Sequence, residues 1–156
     1  MSKHLSQKQK IDLGSFYTPP HLVNLVNDLI NPFLRENSLI CDFAAGMGAF
    51  LIPHASQRTL GVEIDSYAYE KLSELDNSRC YKANALIEVT REKYGILPSD
   101  HVVSIGNPPY NDVTSQYKKG IKDQSYEVDQ DLYSRDLGIS FLRMYDKLSA
   151  DVVCIL

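Results

Sequence analysis

The sequence has no uninterrupted apolar run long enough to cross a bilayer. Its polar, basic first ten residues also lack the apolar segment of a secretory signal. These absences predict a cytoplasmic protein with no membrane role. Cysteine is scarce: Cys41, Cys80 and Cys154 are odd in number, share no C-x-x-C spacing and lie in β-like apolar runs. That pattern favours buried thiols over disulfides or metal ligands. His4, His21, His54 and His101 likewise show no ligand spacing, so packing or surface roles are expected and no metal site. Positive charge is in deficit, with 16 Lys and Arg against 20 Asp and Glu and a net charge of -4. This is the wrong overall sign for unaided tight binding to nucleic acid. The one basic cluster, Lys118, Lys119 and Lys122, reads as a solvated loop rather than a phosphate grip. Two phosphate-binding signatures are missing as well: there is neither a full G-x-G-x-x-G nor a G-K-[ST].

What is present suits one folded domain. A chain of 156 residues with 44% hydrophobic residues and ten Tyr can bury a real core but is short for two domains. Leu22, Val23, Leu25, Val26, Leu29, Ile30 and Phe33 fall on one face of a helix predicted over residues 19–34. Thr18 is its expected N-cap, Pro19 and Pro20 fill the first turn, and Asn31-Pro32 marks the end. Strands are predicted over residues 38–43, 59–63, 79–83, 101–106 and 151–156. Helices are predicted between them over 49–56, 67–75, 87–93 and 132–148. This alternation implies a parallel, doubly wound α/β sheet with right-handed crossovers. The polar stretch 111–131 is long for a plain connection, and reads as a mobile functional loop or a segment that needs a partner.

Three strand ends carry chemistry. Asp42-Phe43-Ala44-Ala45-Gly46-Met47-Gly48 follows the first strand, and glycines there would let the backbone come close to a ligand. Glu63 ends the second strand, where a carboxylate can accept both hydroxyls of a ribose. Without phosphate-gripping motifs, an adenosine ligand lacking phosphates fits better than NAD or ATP. Asn107-Pro108-Pro109-Tyr110 follows the fourth strand. Pro109 restricts Pro108 to extended geometry, so the Pro108 carbonyl and the Asn107 side-chain oxygen form two fixed acceptors for a primary amine. Tyr110 can stack on a planar base, a contact worth about 1 to 3 kcal/mol.

Taken together, these segments resemble the N6-adenine DNA methyltransferase family over nearly the whole chain. Phe16-Tyr17-Thr18-Pro19 looks like that family's N-terminal cofactor motif, Asp42 to Phe50 like its Gly-rich motif, and Gly61-Val62-Glu63-Ile64-Asp65 like its ribose-binding strand end. Asn107 to Tyr110 looks like its catalytic loop. The resemblance implies a Rossmann-like, S-adenosylmethionine-dependent methyltransferase fold with strand order 3-2-1-4-5-7-6. It implies cofactor contacts from Tyr17, Thr18, Pro19, Asp42, Ala44, Gly46, Gly48, Phe50, Glu63, Ile64, Asn84 and Ala85. It also implies catalysis by Asn107, Pro108, Pro109 and Tyr110 on an adenine flipped out of DNA, by direct transfer without metal. Asn84 stands where the family often has an acid, and its amide can still bond an exocyclic amine. Asp65 can cap a helix instead of touching cofactor.

The element order is similar to the group that carries its target-recognition region after the catalytic core, in restriction-modification systems. On that reading residues 1–15 form a flexible N-terminal segment and residues 16–156 an incomplete catalytic domain. The sheet is expected to be truncated after its fifth strand, with target recognition absent or supplied by a second chain. Activity from this polypeptide alone is not expected. Two rivals remain: a methyltransferase acting on protein glutamine or RNA amines, and a non-catalytic cofactor-binding fragment or subunit.

Overall fold

Two segments are buried at every position, Ser38–Asp42 (β1) and His101–Gly106 (β4). Continuous burial of this kind belongs to inner strands of a parallel sheet covered on both faces. They are neighbours in the computed structural model, which describes residues 18–109 and 127–156. Outside the described residues lie Tyr17, Tyr110, Tyr126, the cluster Lys118, Lys119 and Lys122, and most of the 111–131 stretch. Arg58–Glu63 (β2) flanks β1, Ser78–Lys82 (β3) lies beyond it, and Val152–Ile155 (β5) flanks β4. All pairings are parallel, in the order β3-β2-β1-β4-β5. The order reverses between β1 and β4, as the expected topology requires.

Each sheet face holds its own core. On one, Val23, Val26 and Ile30 of helix α1 (Pro20–Ile30) and Leu72 of helix α2 (Ser66–Leu72) meet Ile40, Val103 and Ile105. On the other, Leu137, Phe141, Met144 and Tyr145 of helix α3 (Leu137–Lys147) meet Leu39, Cys41 and Val102. Phe43 joins that second core with its ring edge-on to Tyr94 at 5.2 Å and to Tyr145 at 6.1 Å. Cys41 is buried, Cys80 and Cys154 are half-buried, and all three are free. No described helix is long and apolar enough to cross a membrane.

Two predicted helices are not found. In place of one over 49–56 the chain makes turns and a short 3-10 segment, Ile52–His54. Pro53 has no N–H to donate back to Ala49, and its ring would crowd that carbonyl. The segment 87–93 is also non-helical. Glu88 has φ of 49°, and the Glu88 and Val89 N–H groups donate to the Asp129 carboxylate at 3.0 and 3.1 Å. An acid forty residues away thus takes the donors a first helical turn would have left open. The last helix starts at Leu137 rather than 132, because Asp136 accepts Gly138 N–H at 2.8 Å and caps it there. Thr18 is not the cap of α1. Pro19 holds that position, and its carbonyl accepts the Leu22 and Val23 N–H groups.

The amino edge of the sheet is closed by polar contacts. Arg58 donates to both Asp100 oxygens at 2.7 and 3.3 Å, and Leu97 N–H donates to Asp100 Oδ2 at 2.8 Å. Arg91 donates to the carbonyls of Leu148, Leu97 and Asp100. His101 Nδ1 lies 3.1 Å from Ser38 Oγ.

Candidate active site

Asp42, Glu63 and Gly106 end three adjacent parallel strands, so the loops that follow them emerge at one edge of the sheet. Open α/β sheets bind ligands outside such carboxyl ends, at the point where strand order reverses. The loop after β1 is tied down from both sides. Asp42 Oδ1 accepts Ala44 N–H at 3.0 Å, and the Val62 carbonyl accepts Ala45 N–H at 3.0 Å. Glu63 Oε2 accepts Gly46 N–H at 2.7 Å, while Glu63 Oε1 accepts Asp65 N–H at 2.7 Å. Each Glu63 oxygen has a second lone pair with which to accept from a ligand hydroxyl. Asp65 caps α2 by accepting Ala68 N–H at 2.8 Å, matching the capping reading of that residue.

Both glycines of this loop have left-handed backbones, Gly46 at φ of 54° and Gly48 at φ of 83°. A Cβ on Gly48 would come within 2.5 Å of the Leu75 side chain, so the glycine lets the loop pack closely there. Phe50 and Ala85 are likewise core residues, 3% and 5% exposed, and support the loops from beneath. Ala44 and Asn84 are half-buried, Pro19 is exposed, and Ile64 is 62% exposed beside Glu63.

Two carboxylates here lie near no cation that lowers their pKa. Burial pushes the Asp42 carboxyl up to about 7, the nearby Glu63 charge adds to this, and only the Ala44 N–H opposes. Burial also raises Glu63, against the N–H groups of Asp65, Gly46 and Ile64. Among the described residues, no group of three or more His, Cys, Asp or Glu could hold a metal.

Asn107 and Pro109 are half-buried and Pro108 is buried, directly after β4. Asn107 Nδ2 donates to Thr18 Oγ1 at 3.2 Å, bringing the start of α1 to the loop. One residue of this region escaped the sequence reading, and so did the contacts of a second. Gly106 lies so close to Asp42 that a Cβ would sit 2.7 Å from Asp42 Oδ1, and the signal available was a glycine inside a strand. Asn84 was read only towards the ligand. Its Oδ1 accepts Leu86 N–H at 2.9 Å and its Nδ2 donates to the Glu127 carbonyl at 2.7 Å.

A parallel sheet in this order, with a Gly-rich loop after β1 and an acid ending β2, defines the Rossmann-like fold of S-adenosylmethionine-dependent methyltransferases. The fold matches that of a protein from Vibrio vulnificus YJ016 described as a modification subunit of a type I restriction enzyme. The TM-score is 0.57 at 16% identity, over 90% of this chain and 32% of that one. Residues 1–71 match the family model described as N-6 DNA Methylase. The type II methyltransferase M.CvrRI of Paramecium bursaria Chlorella virus XZ-6E is 29% identical over 112 residues, which is 69% of this chain and 27% of that protein. These matches make the chain similar to N6 DNA methyltransferases, the family that its motifs resemble. It spans about a third or less of the length of these two relatives.

Proposed function

We propose that this chain carries the catalytic core of an adenine-N6 DNA methyltransferase of a restriction-modification system, using S-adenosylmethionine. The observation that supports this most is the junction of β1 and β4. There Gly106 lies against the Asp42 carboxylate, and Asn107-Pro108-Pro109 begins beside the Gly-rich loop.

The donor set fits the cofactor. S-adenosylmethionine carries net positive charge and no phosphate. This edge offers two carboxyls held above their ordinary pKa, Asp42 buried and Glu63 half-buried, and lacks the phosphate-gripping motifs. A cationic ligand would hold Asp42 ionised and relieve the cost of its burial. Glu63 would accept the ribose hydroxyls, Ile64 would cover a ring face, and Asp42, Ala44 and Gly46 would line the methionine end. Gly48, Phe50 and Ala85 would hold these groups in place. Asn84 would border the adenine, and Tyr17, Thr18 and Pro19 would close the site from the start of α1. When bound, the cofactor supplies a methyl group on a sulfonium.

The chain's own work is alignment. Asn107 Oδ1 and the Pro108 carbonyl accept the two hydrogens of a primary amine, so its lone pair points at the methyl group. Both acceptors also stabilise positive charge growing on nitrogen. Pro109 keeps the Pro108 carbonyl from turning into a helix. Tyr110 would stack on a base flipped out of the duplex. Residues 16–156 then form the catalytic domain. With a net charge of -4, most DNA contacts are assigned to sequence beyond these residues or to a second chain.

The test supplies the full-length protein with labelled cofactor and DNA, RNA or protein. Label in N6-methyladenine of DNA is expected, and label in RNA or protein alone overturns the reading. Asn107→Ala should lower transfer by about 100-fold or more, the scale for losing a transition-state hydrogen bond.

A further inference from the structure

The Thr18 hydroxyl is displaced from its expected task. With Pro19 as N-cap and Pro20 beginning the helix, neither following residue has an N–H for Thr18 to accept. The hydroxyl instead meets Asn107 Nδ2 at 3.2 Å, across 89 residues of sequence. Thr18 is half-buried and tied through two prolines to α1, whose Val23, Val26 and Ile30 are packed in the core against Ile40, Val103 and Ile105. The contact therefore joins the start of the catalytic loop to a rigid element rather than to another loop.

We propose that Thr18 is a positioning residue for Asn107, holding its carboxamide in place at the start of the catalytic loop. A carboxamide presents a donor at one end and an acceptor at the other. With Nδ2 turned towards Thr18, Oδ1 points the other way, as an acceptor for an amine must. Supporting groups that lock such a rotamer commonly set the precision of a site. This inference rests on the function proposed above and assigns Thr18 a role in orientation rather than in cofactor affinity alone.

The test compares Thr18→Val, which keeps the shape but not the hydroxyl, with Thr18→Ser in the full-length protein. Two readouts are taken. One is the side-chain amide proton resonances of Asn107, assigned by their loss in Asn107→Asp. The other is single-turnover methyl transfer measured beside cofactor affinity. Thr18→Val should shift the amide resonances and speed their solvent exchange. It should also slow single-turnover transfer at saturating cofactor about tenfold, the order expected from one net hydrogen bond. Thr18→Ser should restore both. In an Asn107→Ala background, Thr18→Val should slow transfer no further.

Unchanged amide resonances in Thr18→Val overturn the proposal, as does a serine variant as impaired as the valine one. A loss that appears only in cofactor affinity overturns it too. Thr18→Ala replaces the valine variant if circular dichroism shows the latter misfolded. Because the amide resonances do not depend on the substrate, they decide the positioning role even if transfer to adenine is never detected. That last result would sink the proposed function instead.

Discussion

Asp42 and Asp100 stand at opposite edges of one sheet, 1% and 6% exposed, yet their carboxyls move in opposite directions. Burial raises both. At Asp100 it is outweighed by the Arg58 guanidinium and the Leu97 N–H, which hold the carboxyl below its ordinary value. At Asp42 no cation offsets burial, Glu63 adds to the repulsion, and the carboxyl rises to about 7. The amino edge is thus electrostatically finished, whereas at the carboxyl edge the fold supplies no cation to compensate ionisation of Asp42. Uncompensated charge of this kind is costly to stability and marks functional sites.

The contrast breaks most visibly at Asp100. Asp100→Ala strands the Leu97 N–H and frees Arg58, and should cost about 2 to 4 kcal/mol in urea unfolding at neutral pH. A change within about 0.5 kcal/mol, the scale of ordinary surface substitutions, would mean the network adds nothing. The pH dependence has a definite sign. Because the folded carboxyl lies below its unfolded value, its contribution is present above the unfolded pKa and is lost as pH falls through the folded one. The parent and Asp100→Asn should therefore converge in acid.

Asp42 should behave in the opposite way. Its folded pKa of about 7 lies above the ordinary carboxylate value, so the native state keeps a proton that the unfolded chain gives up. Stability then falls as pH rises from the carboxylate range through about 7, and levels off above it. Asp42→Asn retains an acceptor for the Ala44 N–H and has nothing to ionise. It should remove this slope and gain about 2 kcal/mol over the parent at pH 8, measured by thermal unfolding across pH. The same variant should bind a cationic cofactor more weakly. Parallel pH profiles for parent and variant would show that Asp42 is already ionised at neutral pH, and the comparison between the two edges would fail.

The sequence was most legible where one physical rule governs a residue alone. Strands show as short apolar runs, and the runs for β1 and β4 needed no partner to be read, because burial on both faces demands continuous apolarity. The three loops after β1, β2 and β4 were legible for the same reason, since small residues, an acid and a proline pair interrupt those runs. Legibility failed where a distant residue decides. Asp129 takes the N–H groups of Glu88 and Val89 in a segment that is not the predicted helix, with Glu88 at φ of 49°. Asn107 takes the hydroxyl that was expected to cap α1. Neither contact has a local signal, because both partners are ordinary polar residues far apart in the chain.

Asn84 is the smallest and most specific case. The resembled family often has an acid at this position, and the local geometry gives a reason for an amide. Asn84 Nδ2 lies 2.7 Å from the Glu127 carbonyl, while its Oδ1 accepts Leu86 N–H. Asp129 N–H donates to the Leu86 carbonyl at 2.9 Å, so residues 127–129 are clamped onto the turn that follows β3. The clamp needs a donor and an acceptor from one side chain, which an amide has and an ionised carboxylate lacks. Asn84→Ala should cost about 1 kcal/mol in urea unfolding, the net worth of a hydrogen bond. Asn84→Asp should cost at least as much, since it keeps the Leu86 contact but sets a carboxylate oxygen against a carbonyl oxygen. An aspartate variant as stable as the parent would show that the amide is not needed for the clamp, and would return this position to a purely ligand-facing role.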